Sequence, residues 1–189
     1  MKIRKTVVIL SGGKNSRMNY ETKAFLKINK KPFIEVILSK LNDYEEVLIS
    51  CNNLNEYIYL EDKARLIKDK IFDIGPIGGI YSCLLEAKFD ECLFIAVDMP
   101  FLNEKLLNYL GNFKFNEDAL VPIVNNKIQP LCGIYKTKSI KIIKEMIDNK
   151  NYKLKYLLDK LDTKYLVIND EKSFSNINTV KEYEKLKRV

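Results

Sequence analysis

The sequence predicts an α/β protein, a three-layer α/β/α sandwich around a mostly parallel sheet with an antiparallel element in its later half. Three observations carry this. Short apolar, β-branched runs at residues 7–10, 46–50 and 91–97 each stop at a glycine or a polar break, as buried strands do. Segments with apolar residues at helical spacing lie between them, and that alternation is the pattern of strand–helix–strand units. The runs at 119–124 and 128–135 lie too close together for a helical crossover, so they must pair antiparallel.

Taken in order, the first strand (7–10) breaks at Ser11-Gly12-Gly13. A short apolar stretch follows at 24–28, then the turn Asn29-Lys30-Lys31-Pro32, with Pro32 starting a helix. Phe33, Ile34, Ile37, Leu38 and Leu41 form one face of that helix. The run 46–50 ends in Cys51-Asn52-Asn53. Residues 53–60 read as a short helix, and 64–67 as a third strand ending at Lys68-Asp69. Gly75-Pro76-Ile77-Gly78-Gly79-Ile80 opens a helix that continues through Leu84 and Ala87. Residues 91–97 form the most apolar strand, placed centrally, and end in Asp98-Met99-Pro100. A helix is expected at 103–110. Further helical faces carry Ile140, Ile143 and Ile147, then Leu154, Leu157, Leu158 and Leu161. One more strand is expected at 164–168, and a closing helix after Asn176-Ile177-Asn178-Thr179, with Asn178 or Thr179 as its cap. No repeat, low-complexity tract or Gly/Ser/Pro linker interrupts the chain, so residues 1–189 are expected to form one domain.

Composition narrows the chemistry. No apolar run approaches the ~20 residues that span a bilayer, and residues 7–10 are too short for a signal-peptide core. A cytoplasmic protein that does not enter the membrane is expected. Cys51, Cys83, Cys92 and Cys132 form no C-x-x-C pair and sit in apolar surroundings, which fits free buried thiols. The chain has no histidine, which excludes histidine bases, triads and metal ligands. A net charge of +7 suits an anionic substrate, but 28 lysines against 4 arginines are spread rather than clustered, and no aromatic–basic motif marks nucleic-acid binding.

The stretch on which the site depends runs from Thr6 to Leu26. A buried strand ending in two glycines puts backbone N–H groups at the carboxyl edge of a sheet, where open α/β sheets hold ligands. Glycines there let several N–H groups converge on an anion. Arg17 and Lys23 can add side-chain charge to it. The implied chemistry is phosphate binding, above all the triphosphate of a nucleotide. The chain has neither the P-loop pattern nor the dinucleotide fingerprint. Asn52, at a strand's carboxyl edge, can either read a nucleobase or cap a turn. Asp69 also sits just past a strand end, where a solvated turn carboxylate is the commoner case. Asp98, at the end of the central strand, can hold a hard cation such as Mg²⁺ or cap the next helix.

The runs LSGGKNSRM, TKAFL and KINKKPFIE, followed by GPIGGI, DMP and NINT in that order, resemble the MobA-type molybdenum cofactor guanylyltransferases, a nucleotidyltransferase family with an L-A-x-G-x-S-x-R-M…K signature. The likeness covers nearly the whole chain. It implies the Rossmann-like nucleotidyltransferase fold, with a nucleotide-binding part over about residues 1–102 and an acceptor-binding part over about 103–189. It also implies transfer of GMP from GTP to the phosphate of molybdopterin, with Mg²⁺ as cofactor. Leu10, Ser11, Gly12, Gly13, Lys23, Asn52, Asp69, Gly78 and Asp98 then hold the nucleotide, with Asp98 as the metal ligand. Arg17, Lys23 and Asp98 become the catalytic groups, and Gln129, Asn176 and Asn178 face the acceptor. A MobB-type accessory protein or a molybdoenzyme chaperone would be a partner, with no role for nucleic acid or membrane.

Two positions depart from the family pattern. Asn19 stands where a glycine usually follows the methionine, and Thr22 stands where an aspartate usually precedes the lysine. The competing readings are a cofactor or sugar-phosphate nucleotidyltransferase using CTP or UTP, and a nucleotide-binding protein without catalysis. The residue chemistry suits transfer on one further ground. A phosphate nucleophile is anionic at neutral pH, so a chain without histidine needs no general base for it.

Overall fold

A strand covered on both faces needs a continuous apolar run, and β1 (Ile3–Leu10) is such a strand, buried at all but one of its positions. The computed structural model describes residues 2–12, 17–18 and 21–187. After β1 come two small ladders, β2 (Arg17–Met18) with β3 (Glu21–Thr22) and β4 (Lys27–Ile28) with β5 (Lys31–Pro32). Then follow α1 (Phe33–Leu38), β6 (Tyr44–Cys51), β7 (Arg65–Lys68), α2 (Pro76–Glu86), β8 (Glu91–Ala96) and α3 (Glu104–Asn112). The later half holds β9 (Ala119–Val124), β10 (Lys127–Ile128), β11 (Cys132–Lys136), α4 (Ile140–Asp148), α5 (Leu154–Lys160), β12 (Thr163–Val167) and α6 (Val180–Lys187).

The main sheet runs β10-β9-β11-β8-β1-β6-β7, with β12 paired to β9. Strands β1, β6, β7 and β8 are mutually parallel. The expected antiparallel element is β11, which runs against both β8 and β9. The run expected at 128–135 divides into β10 and β11. Asn125 and Asn126, with φ of 49° and 59°, turn the chain tightly between β9 and β10. The helix expected at 53–60 is instead two single 3-10 turns, Leu54–Glu56 and Ile58–Leu60, the first capped by the Asn53 side chain.

The helices cover the sheet on both sides. Val7, Ile9, Leu93 and Ile95 pack with α1 and α3. Val8, Leu10, Cys92 and Phe94 pack with α2, α4 and α5. Side chains alternate across a strand, so neighbouring residues of one run feed two cores. Three layers follow. None of the described helices is long and apolar enough to cross a membrane.

Register fixes where a ligand goes. Leu10 pairs with Ser50 on one side and with Ala96 on the other, and Cys51 pairs with Lys68. The residues just beyond these strand ends therefore emerge at one edge. The chain leaves β1 toward β6 and β7 and then crosses back to β8, so the order reverses beside β1. Such a reversal opens a crevice at the carboxyl ends of the strands.

Close packing has one sensitive point on the α3 face. A Cβ on Gly111 would lie 2.5 Å from the Tyr44 hydroxyl, which donates to the Leu107 carbonyl at 2.7 Å. Gly111→Ala is expected to lower stability by about 1–3 kcal/mol through overpacking. Urea denaturation checks this, and an unchanged midpoint would show that the α3 face yields freely.

Candidate active site

A cleft of about 690 Å³ lies at the crevice, and Leu10, Gly12, Lys23, Asn52, Asp69 and Asp98 all line it. A second concavity of about 600 Å³, lined by Lys2, Tyr44, Glu45 and Asp62, lies toward the amino ends of β1 and β6. That is the wrong edge for the ligand of an open α/β sheet.

The charged centre of the cleft is Lys23. It lies in a 3-10 turn, Lys23–Phe25, and is buried there. Its Nζ donates to Asp98 Oδ2 at 3.0 Å and to Asn178 Oδ1 at 3.0 Å. An ammonium has three donors, and these two bonds leave one for a ligand. Thr22, in place of the family's aspartate, supplies no carboxylate; Asp98 and Asn178 are the partners instead. Asp98 Oδ1 is buried and has no hydrogen-bond partner among the described residues. A buried carboxylate oxygen left without a donor is costly, and a hard cation is the kind of group that would satisfy it. Among the described residues no three of His, Cys, Asp or Glu gather into a metal cage. A metal held here would take one carboxylate and complete its shell from substrate and water, as Mg²⁺ does.

Backbone bonds hold these side chains in place. Val97 N donates to Leu10 O, and Ile177 N donates to Asp98 O at 3.0 Å. The chain before α6 thus returns to the end of β8, and Asn178 reaches Lys23. Thr179 and Glu182 form a reciprocal cap at the start of α6: Glu182 accepts from Asn178 N and Thr179 N, and Thr179 Oγ1 accepts from Glu182 N. The two asparagines therefore differ. Both are exposed, but Asn178 lines the cleft and Asn176 does not. Gln129 is half-buried and also absent from the lining, where Leu131 stands two residues on.

The other end of the cleft is built around Asp69. Ser50 Oγ donates to Asp69 Oδ1 at 2.6 Å. A Cβ on Gly12 would come within 2.9 Å of Asp69 Oδ2 and 3.6 Å of both amide atoms of Asn52, so the structure brings Gly12, Asn52 and Asp69 together. Burial raises the Asp69 carboxyl above its ordinary pKa, and the Ser50 hydrogen bond opposes that rise. Gly75, at φ +72°, takes a backbone that favours glycine, and Pro76 occupies the first turn of α2.

Within the glycine pair of α2, Gly79 lines the cleft. Gly78 instead packs on the preceding loop, where its Cβ would meet the Ile71 carbonyl at 2.6 Å. Ser11 is buried, its hydroxyl 2.6 Å from that of Tyr57, and does not line the cleft. Gly13 and the side chain of Arg17 lie outside the described residues. Ser50 and Tyr57 escaped the sequence reading, and Gly79 was read only as part of the GPIGGI run, with Gly78 singled out in its place. The one signal for Ser50 was a lone hydroxyl closing the apolar run EVLIS.

Several known proteins are similar to this chain. A family model described as the MobA-like NTP transferase domain matches residues 7–164. A probable molybdenum cofactor guanylyltransferase of Clostridium perfringens (strain 13 / Type A) is 44% identical, covering 97% of this chain and 96% of its own. Another so named, from Flavobacterium johnsoniae, is 35% identical over 96% of this chain and 95% of its own. Among solved structures, molybdopterin-guanine dinucleotide biosynthesis protein A from Archaeoglobus fulgidus superposes with a TM-score of 0.82 at 26% identity, covering 97% of each chain. A 2-C-methyl-D-erythritol 4-phosphate cytidylyltransferase from Thermus thermophilus shares the fold at a TM-score of 0.69 and 15% identity, covering 100% of this chain and 98% of its own.

The raised Asp69 carboxyl has a stability consequence. Where the folded pKa exceeds the unfolded one, the folded state holds the proton more tightly, so ionisation near neutral pH costs stability. The cost vanishes below the unfolded carboxylate value of about 3.9. Asp69→Asn is therefore expected to raise the urea midpoint at about pH 7 and to lose that advantage towards about pH 4. A midpoint at neutral pH no higher than that of the parent chain would contradict the assignment.

Proposed function

We propose that this chain, which belongs to the MobA-like NTP transferase family, transfers GMP from GTP to the phosphate of molybdopterin and releases pyrophosphate. The observation that carries the reading is the meeting of Gly12, Lys23 and Asp98 in one cleft at the crevice beside β1. The likeness to guanylyltransferases over the whole chain favours GTP over CTP or UTP, since the cytidylyltransferase resemblance extends to the fold alone.

The proposed chemistry is charge neutralisation and positioning. The Gly12 backbone lies against the phosphates at the strand edge. Lys23 offers its remaining donor to phosphate oxygens, neutralising charge that grows on the departing pyrophosphate. Arg17, from the same loop, adds a second cation in the family pattern. Asn52 and Asp69 face the base. Asp98 would hold Mg²⁺ through Oδ1, and the bound ion supplies positive charge to the phosphate oxygens. The acceptor phosphate is already anionic, so no residue is assigned as a base. Asn178 holds Lys23 on the side from which the acceptor would enter. Gln129 and Asn176 remain family-based assignments for the acceptor. A MobB-type accessory protein remains so as a partner.

The ordered cleft argues against a binding protein without catalysis: Lys23 keeps two partners despite the Thr22 departure. Pyrophosphate release with GTP, Mg²⁺ and molybdopterin tests the reading, with CTP as the competing donor. Asp98→Ala and Lys23→Met are each expected to lower turnover at least ~100-fold, the scale on which a lost transition-state contact acts. Near-normal release by Asp98→Ala would remove that residue from the metal site. Faster release with CTP than with GTP would overturn the choice of nucleotide.

A further inference from the structure

The Asp69 end of the cleft contains a feature the transfer reaction does not require. Asp69 is 8% exposed and Ser50 is 1% exposed, and the Ser50 hydroxyl donates to Asp69 Oδ1 at 2.6 Å. No described residue donates a hydrogen bond to Oδ2, which lies against Gly12 and beside the Asn52 amide, and Asp69 lines the cleft. The carboxylate is therefore held with one oxygen occupied and the other left to accept from a ligand.

The hydroxyl is itself enclosed. A Cβ on Gly79 would lie 2.5 Å from Ser50 Oγ, 2.9 Å from Leu10 Cδ2 and 3.5 Å from Asp69 Oδ1. Only a residue without a side chain lets α2 approach this closely. The loop beyond Asp69 is fixed from the same helix, because Lys70 N donates to Ser82 Oγ at 2.8 Å and Ser82 Oγ donates to Gly78 O at 2.7 Å. Helix and loop together leave the Asp69 carboxylate little freedom except rotation about its own bonds. The Ser50 hydrogen bond stops that rotation.

We propose that Ser50 is a positioning residue for base selection: by occupying Asp69 Oδ1 it aims Oδ2 at the 2-amino group of the purine. The inference rests on the proposed use of GTP and deepens it. A carboxylate oxygen is an acceptor only. It rewards a ring that offers an N–H at this point and gives nothing to one that does not. Guanine and hypoxanthine differ only in the 2-amino group, so the nucleotide pair GTP and ITP isolates this contact. Adenine and the pyrimidines differ in more than one group and would not.

The test is isothermal titration of the full chain with GTP and with ITP, each with Mg²⁺, on the parent, Ser50→Ala and Gly79→Ala. Gly79→Ala displaces the same hydroxyl from the neighbouring helix. The readout is the ratio of the two dissociation constants within one preparation, so a loss of folded protein or a general loosening affects both and leaves the ratio unchanged. The parent is expected to favour GTP by about 10-fold or more, the range for a hydrogen bond to a charged group. In both variants the ratio should fall to within about 3-fold of unity, with most of the change in GTP. Ratios in both variants equal to the parent's would overturn the role of Ser50. A parent that binds GTP and ITP equally would overturn the contact with the 2-amino group while leaving guanylyl transfer standing. A parent that binds neither nucleotide would overturn both this inference and the proposed function.

Discussion

The structure of the site depends on one buried cation. Lys23 has a side chain only 7% exposed, and its ammonium is shared between a carboxylate from the end of β8 and an amide from the segment before α6. Three stretches far apart in sequence must meet for that ammonium to be satisfied. An ion pair of this kind adds little net stability, because desolvating both ions offsets their attraction, yet removing one partner costs about 3–5 kcal/mol. The arrangement specifies geometry more than it stabilises the fold. It also leaves Asp98 Oδ1 without a partner among the described residues, a local cost that a bound cation would relieve.

Asp69 follows the same logic at the other end of the cleft. Its carboxyl is raised by burial and steadied by a single hydroxyl. Gly75 and Gly79 supply what side chains would forbid: a φ of +72° at the mouth of α2, and an approach to Ser50 that a Cβ would block. The buried carboxyl of Asp69 and the unpartnered Oδ1 of Asp98 are local costs at the lining of one cleft. Sites that bind and turn over charged ligands are where such costs collect.

The fold was legible because the later parts of β1, β6 and β8 are covered on both faces, so VVIL, VLI and CLFIA read as short apolar runs. The glycines and polar residues at their ends fell where the parallel register brings them together. Gly12, Asn52, Asp69 and Asp98 were legible for that reason: each stands just past a strand end. Asn178 was recognisable only from the family likeness, because its partner Lys23 lies 155 positions away and local spacing carries no trace of it. The 3-10 turns at 54–60 were read as a helix because Leu54, Tyr57, Ile58 and Leu60 mimic helical spacing over too short a span to decide. Gly78 and Gly79 were indistinguishable as letters. Only the packing of α2 on the loop at 71–74 shows which of them lines the cleft. Ser50 was hidden in the same way, since a serine closing a strand looks like any edge residue until the helix that covers it is in view.

In the proposed reaction the β1 edge, Lys23 and Asp98 surround a single triphosphate. A crystal structure of the chain with Mg²⁺ and a GTP analogue that resists cleavage tests it most directly. The phosphates are expected between the Gly12 backbone and Lys23 Nζ, with the metal on Asp98 and the guanine against Asp69. A nucleotide bound with its phosphates away from both Lys23 and Asp98 would contradict it.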